Sequence, residues 1–215
     1  MPDDQDRDDT GAGASRPIRL TASDLSAVRG GRRVLAGLSF TVATGELLAV
    51  TGPNGAGKST LLRLIAGLLR PVGGQISFAP ASEERIGGRL HYLGHLDGLK
   101  VTLSVRQNLQ FWADLWSSPG TVDKALEALG LTRLATFPVA VLSAGQRRRT
   151  ALARLLLIRR PLWLLDEPAT GVDKAAEAML GEMLRAHLGA GGLAVVATHL
   201  DPPVKPAATL ALGAE

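Results

Sequence analysis

The segment Gly52-Pro53-Asn54-Gly55-Ala56-Gly57-Lys58-Ser59-Thr60 constrains the fold more than any other part of this 215-residue chain. It fits the pattern G-x-x-x-x-G-K-[ST], and its flanks fit as well. Glu46 to Thr51 reads as a short apolar strand, and Leu61, Leu62, Ile65, Leu68 and Leu69 recur at helical spacing over 59–69, with Pro71 and Gly73-Gly74 beyond as terminators. Glycines let such a loop curl around an anion, so that its N–H groups and the helix N-terminus point at phosphate oxygens. Lys58 then reaches the terminal phosphates, and Ser59 offers a hydroxyl to a magnesium ion. A plain glycine-rich turn would need neither the lysine nor the hydroxyl.

A second apolar strand, Leu162 to Leu165, delivers Asp166 and Glu167 at its carboxyl end, the ligand-binding side of an open α/β sheet. Asp166 is the candidate magnesium ligand. Glu167, one residue further, could polarise a water attacking a terminal phosphate. These two motifs leave kinases, GTPases and helicases open.

Around them, alternation through Leu20, Leu25 and Val28, and again through Val34, Leu38, Phe40 and Val42, predicts antiparallel strands joined at Gly30-Gly31. A strand through Ile76 and Phe78 follows. Between Thr102 and Leu131 the apolar period becomes helical, with Val105, Leu109, Trp112 and Trp116 on one stripe and Pro119-Gly120 separating two helices. A helix over about 143–159, a helix after Asp173 and a strand over Leu193 to Ala197 complete a strand–helix–strand order that implies a parallel sheet buried on both faces.

Leu142-Ser143-Ala144-Gly145-Gln146 resembles the LSGGQ signature of ABC ATPases, and Ser143 is placed to cap the helix it opens. The resemblance continues through Ala169 to Asp173, matching the family's D-loop, and His199, matching its switch histidine; together it covers nearly all of residues 18–200. It implies a P-loop NTPase (RecA-like) α/β core with an antiparallel β subdomain and an inserted helical subdomain over about 96–160. It also implies ATP and Mg2+, catalytic roles for Glu167 and His199, and a head-to-tail homodimer in which Ser143, Gly145 and Gln146 serve the partner's ATP.

Three positions depart from the family pattern. Arg29 stands near the place of an adenine-stacking aromatic residue, where its guanidinium could stack on the base or simply be solvated. Ala144 replaces a signature glycine, a change tolerated where φ is negative. His95 replaces a glutamine that joins the nucleotide site to the helical subdomain, a coupling role. His95 in the run Leu93 to Lys100, the segment Gly37-Leu38-Ser39-Phe40 and the signature's continuation Gln146-Arg147-Arg148-Arg149 look like the ATP-binding subunits of haem exporters in cytochrome c maturation. That subfamily implies integral membrane partners of a haem-handling complex and a peripheral place on the cytoplasmic face of the inner membrane.

Charge and composition select less. Residues 1–17 hold five Asp against two Arg, net −3, and are expected to be a disordered acidic tail; with a total of +4, the ATPase domain expected over 18–215 carries +7. That balance suits nucleotide phosphates, an anionic membrane or nucleic acid equally. The chain has no cysteine, which removes disulfides, thiolate metal sites and cysteine nucleophiles. Its apolar runs are too short to span a bilayer as a helix, which takes ~20 residues, so a membrane role is expected to be peripheral. An ATPase subunit for another exported substrate is one alternative, and a soluble mechanical ATPase acting on nucleic acid or ribosomes is the competing class; such soluble relatives usually have two fused cassettes or a long coiled coil between P-loop and signature, and neither is present, so no nucleic-acid partner is expected.

Overall fold

The computed structural model describes residues 17–81, 86–118 and 120–213, within which lie eight strands and five α-helices. The acidic segment expected over 1–17, Pro17 apart, and Pro119 of the expected helix break lie outside the described residues.

Strands β1 (Arg19–Arg29), β2 (Arg32–Ala43) and β4 (Gly73–Ala79) form an antiparallel sheet in the order β2-β1-β4. As expected, β1 turns into β2 through Gly30-Gly31, both at positive φ. The second sheet is wholly parallel, in the order β5 (Leu90–Leu93), β6 (Leu162–Asp166), β7 (Leu193–Ala197), β3 (Leu47–Thr51), β8 (Ala208–Ala211). Its three inner strands are apolar at almost every position because both faces are covered. Leu47, Ala49, Trp163, Leu165, Ala194 and Val196 pack toward the helical side, whereas Leu48, Val50, Leu162, Leu164, Val195 and Ala197 pack toward the antiparallel sheet.

Helix α1 (Lys58–Ile65) lies on the latter side through Leu61, Leu62, Leu64 and Ile65. It stops four residues before the expected Leu69. Gly67 sits at φ 71, its N–H donates to Leu64 O, and Leu68 N–H donates to Arg63 O, a Schellman ending that satisfies the last carbonyls. Gly73-Gly74, expected to end this helix, instead opens β4.

On the other side α2 (Val105–Leu115), α3 (Val122–Ala128), α4 (Ala144–Ala153) and α5 (Lys174–Gly189) share one core with the parallel sheet. Helix α4 also falls short of its expected end at Arg159: the chain tightens into a 3-10 turn over Arg154–Leu156 and then meets Pro161, before which helical backbone is disfavoured. Among the described residues, no helix is long and apolar enough to cross a membrane.

Candidate nucleotide site

The parallel register determines where the chemistry gathers. Val50 pairs with Ala197, Ala197 with Asp166, and Leu165 with Leu93. The segments that leave β3, β6, β7 and β5 therefore emerge along one edge within a residue or two of the same level. They carry Gly52 to Thr60, Glu167, His199 and His95. A cavity of about 330 Å³ opens there, lined among others by Lys58, Ser59, His95, Asp166, Glu167 and His199. Asn54, Gly55, Gly57, Thr60 and Thr170 complete its lining.

Two glycines of the loop are required by close approach as well as by φ. A Cβ on Gly52 would lie 2.3 Å from Leu212 O, and one on Gly57 would lie 2.9 Å from Leu35 Cδ2 and 3.0 Å from Val34 O. Gly57, at φ 101, is the N-cap of α1 and offers no side-chain acceptor to the first turn, so the first-turn N–H groups are unused by a cap where Gly57 to Thr60 line the cavity. Pro53 and Ala56 close the loop, Ala56 N–H donating to Pro53 O at 3.2 Å. Lys58, 7% exposed, donates to Gly52 O at 2.7 Å and Pro53 O at 3.3 Å, and its ammonium is 3.7 Å from Glu167 Oε1.

Glu167 has a left-handed backbone, φ 50, which costs a residue with a Cβ roughly 1–2 kcal/mol. Its surroundings hold it there. Its N–H donates to Ala197 O at 2.8 Å, and its carbonyl accepts from Thr170 N–H at 3.2 Å and from Arg148 at 2.9 Å. Thereby the carboxylate meets His199 Nδ1 at 2.8 Å and the Thr170 hydroxyl at 3.1 Å through Oε2, with Oε1 toward Lys58. Asp166 is 1% exposed, and its Oδ2 has no hydrogen-bond partner among the described residues. An unpaired buried carboxylate oxygen in a cavity that Ser59 also lines suits a hard divalent cation.

The signature residues stand apart. Ser143, Gly145 and Gln146 do not line this cavity; they open α4 with reciprocal bonds, Gln146 N–H to Ser143 Oγ at 3.2 Å and Ser143 N–H to Gln146 Oε1 at 2.9 Å. Ser143 caps as expected, and Ala144 is absent from the positive-φ residues, as its tolerance requires. Arg29 is exposed at the end of β1 and does not line the cavity either. His95 is exposed between the cavity and a smaller one of about 150 Å³ bounded by Ala144, Arg147 and Arg148.

Sequence reasoning met Thr170 within the D-loop match and Arg148 within the signature's continuation but gave neither a role of its own. The signal for Arg148 was available: it shares a helical face with Ala151, Leu152 and Leu155, all buried, so it is an arginine at a core position. Arg154, buried behind it, has its pKa lowered from 12.5 to about 10 by burial, with Arg148 adding repulsion and Asp97 opposing it.

Residues 35–170 match the ABC transporter family model. The chain is 50% identical over 200 residues to the "Cytochrome c biogenesis ATP-binding export protein CcmA" of Chelativorans sp. (strain BNC1), covering 92% of this chain and 99% of that protein. It is 49% identical to the protein of that name from Rhodospirillum rubrum, over 91% of this chain and 86% of the relative. Among solved structures, a putative ABC transporter ATP-binding protein from Pyrococcus furiosus superposes with a TM-score of 0.78 at 25% identity, covering 90% of this chain and 97% of that one.

Proposed function

The chain belongs to the ABC transporter family, whose ATP-binding proteins are ATPases, and from that premise we propose that its ATP hydrolysis drives haem export, or release of a haem-loaded chaperone, in cytochrome c biogenesis. The observation that carries the catalytic part is the convergence of Lys58, Asp166, Glu167 and His199 on one cavity while Ser143 and its neighbours face elsewhere. The relatives named for cytochrome c biogenesis supply the biological part.

In this reading the N–H groups of Gly55 to Thr60 hold the β- and γ-phosphates. Lys58 leaves its own loop's carbonyls to neutralise them. Glu167 takes a proton from the attacking water, and His199, bonded to the same carboxylate, fixes its direction and contacts the γ-phosphate. Ser59 and Asp166 hold Mg2+, which supplies positive charge to the phosphate oxygens. Ser143, Gly145 and Gln146 close on the γ-phosphate of a second copy, making a homodimer conditional on ATP.

Integral membrane subunits dock on the helical side, which places the chain peripherally on the cytoplasmic face of the inner membrane. A groove of about 280 Å³ where this side meets β5 and the end of α1 is lined by Leu68, Tyr92, Trp112, Trp116, Arg154 and Arg160, the two indoles 5.0 Å apart. Its aromatic walls suit a short helix from such a subunit. His95, between this side and the phosphate cavity, transmits its position.

Cells whose only copy carries Glu167→Gln test the assignment. Mature c-type cytochromes should be missing while the variant still copurifies with integral haem-handling proteins. Normal cytochrome levels would refute the haem reading.

A further inference from the structure

Arg148 is 5% exposed and uses all five of its N–H groups. Nε donates to Pro168 O at 3.2 Å; Nη2 forks between Asp166 O at 3.0 Å and Glu167 O at 2.9 Å; Nη1 reaches Asp97 Oδ1 at 3.0 Å and Gly94 O at 3.3 Å. Three successive carbonyls at the end of β6 are thus gathered on one planar cation. The other arm holds the loop that carries His95, and the side chain itself springs from α4, one turn after Ser143.

We propose that Arg148 is a positioning residue for ATP hydrolysis: its guanidinium holds the left-handed backbone of Glu167, and so the direction of its carboxylate, and ties that setting to the His95 loop and to the helix that presents Ser143. The inference rests on the reading of Glu167 as the residue that activates water. A planar fork is needed because the carbonyls of 166, 167 and 168 must be met at once from one side. Lysine can keep the charge beside Asp97 but cannot reproduce that fork. Because Arg148 lies outside the cavity that receives the phosphates, its loss should act on the chemical step and leave nucleotide capture in place.

The test is steady-state ATP hydrolysis by Arg148→Met, Arg148→Lys, Glu167→Gln and the double variant Arg148→Met/Glu167→Gln, with ATP binding and thermal melting measured on each. Arg148→Met should lower kcat by about tenfold or more while KM for ATP stays within about threefold, and Arg148→Lys should fall between it and the parent. In the Glu167→Gln background, losing Arg148 should cost nothing further, because the group it aims is already gone. Parallel losses in kcat and ATP binding, or a kcat loss that multiplies with that of Glu167→Gln, would mean a general structural role and overturn the proposal. If Arg148→Met does not fold, Arg148→Lys carries the test, and parental kcat in it is equally fatal. Parental activity in Glu167→Gln would instead sink the reading of Glu167 itself, and the positioning role with it.

Discussion

His91 and His187 show what burial does to a titratable ring outside the phosphate cavity. His91, 3% exposed, bonds Ile158 O through Nε2 at 2.9 Å and meets Trp116 edge-on at 5.1 Å. Its pKa is lowered from 6.5 to about 4 by burial, with Arg160 and Arg154 adding to the effect and the Ile158 bond opposing it. His187 stacks on Trp163 with centroids 4.0 Å apart and is likewise lowered to about 4, chiefly by burial. Between pH 6.5 and about 4 the unfolded chain therefore takes up protons that the folded chain refuses. Stability is present in full above the upper value and declines as pH falls through that window, by up to roughly 3 kcal/mol per ring. His91→Gln keeps a donor for Ile158 O but cannot be protonated. Urea unfolding at pH 7.5 and pH 5 should accordingly show a shallower loss of stability in that variant than in the parent. An equal loss in both would mean that His91 is protonated in the folded state.

At the scale of the element, what the sequence made legible depended on whether the signal was local. The inner strands β3, β6 and β7 and the starts of α1, α4 and α5 matched expectation because each carries its own apolar run or cap, such as Asp173 accepting from Ala176 N–H at 2.8 Å. Edge strands β5 and β8 had no such mark: each is four residues long, and their assignment depends on pairing with β6 and β3 across the chain. The site divides the same way. The P-loop and Asp166-Glu167 are contiguous motifs, whereas Arg148 makes sense only once α4 lies against residues 18 to 54 positions away. The capping boxes at Ser104 and Ser143 give an internal control for the signature. Either serine replaced by alanine should lose about 1 kcal/mol of stability. Only Ser143→Ala should also weaken ATP-dependent dimerisation, since Ser104 has no nucleotide to meet. Equal dimerisation in the two variants would remove Ser143 from the partner's site.

Across the whole molecule, the parallel sheet brings Lys58, Asp166, Glu167 and His199 to one cavity at its edge, while α4 presents its capped N-terminus outside that cavity. In the proposed reading a second copy turned head to tail would supply the other half, so that closure of the pair and occupancy by ATP would become one equilibrium. Glu167→Gln isolates that equilibrium from turnover. The amide retains the shape and an oxygen for His199 but loses the charge by which Glu167 is proposed to polarise water, so on that reading hydrolysis should slow about 10²–10⁴-fold, roughly 3–5 kcal/mol of barrier. Binding should change far less, because Lys58 and the loop N–H groups are untouched. ATP held and not consumed then stabilises whichever state binds it better, by about 2.7 kcal/mol at a hundredfold excess over Kd for one site. Sedimentation of Glu167→Gln with ATP should show dimers that persist for hours, dissolving when ATP is removed, while the parent's dimers decay as its ATP is spent. Monomers at every ATP concentration would refute the shared site, and the signature helix of this chain would then have to serve something other than a second copy's phosphate.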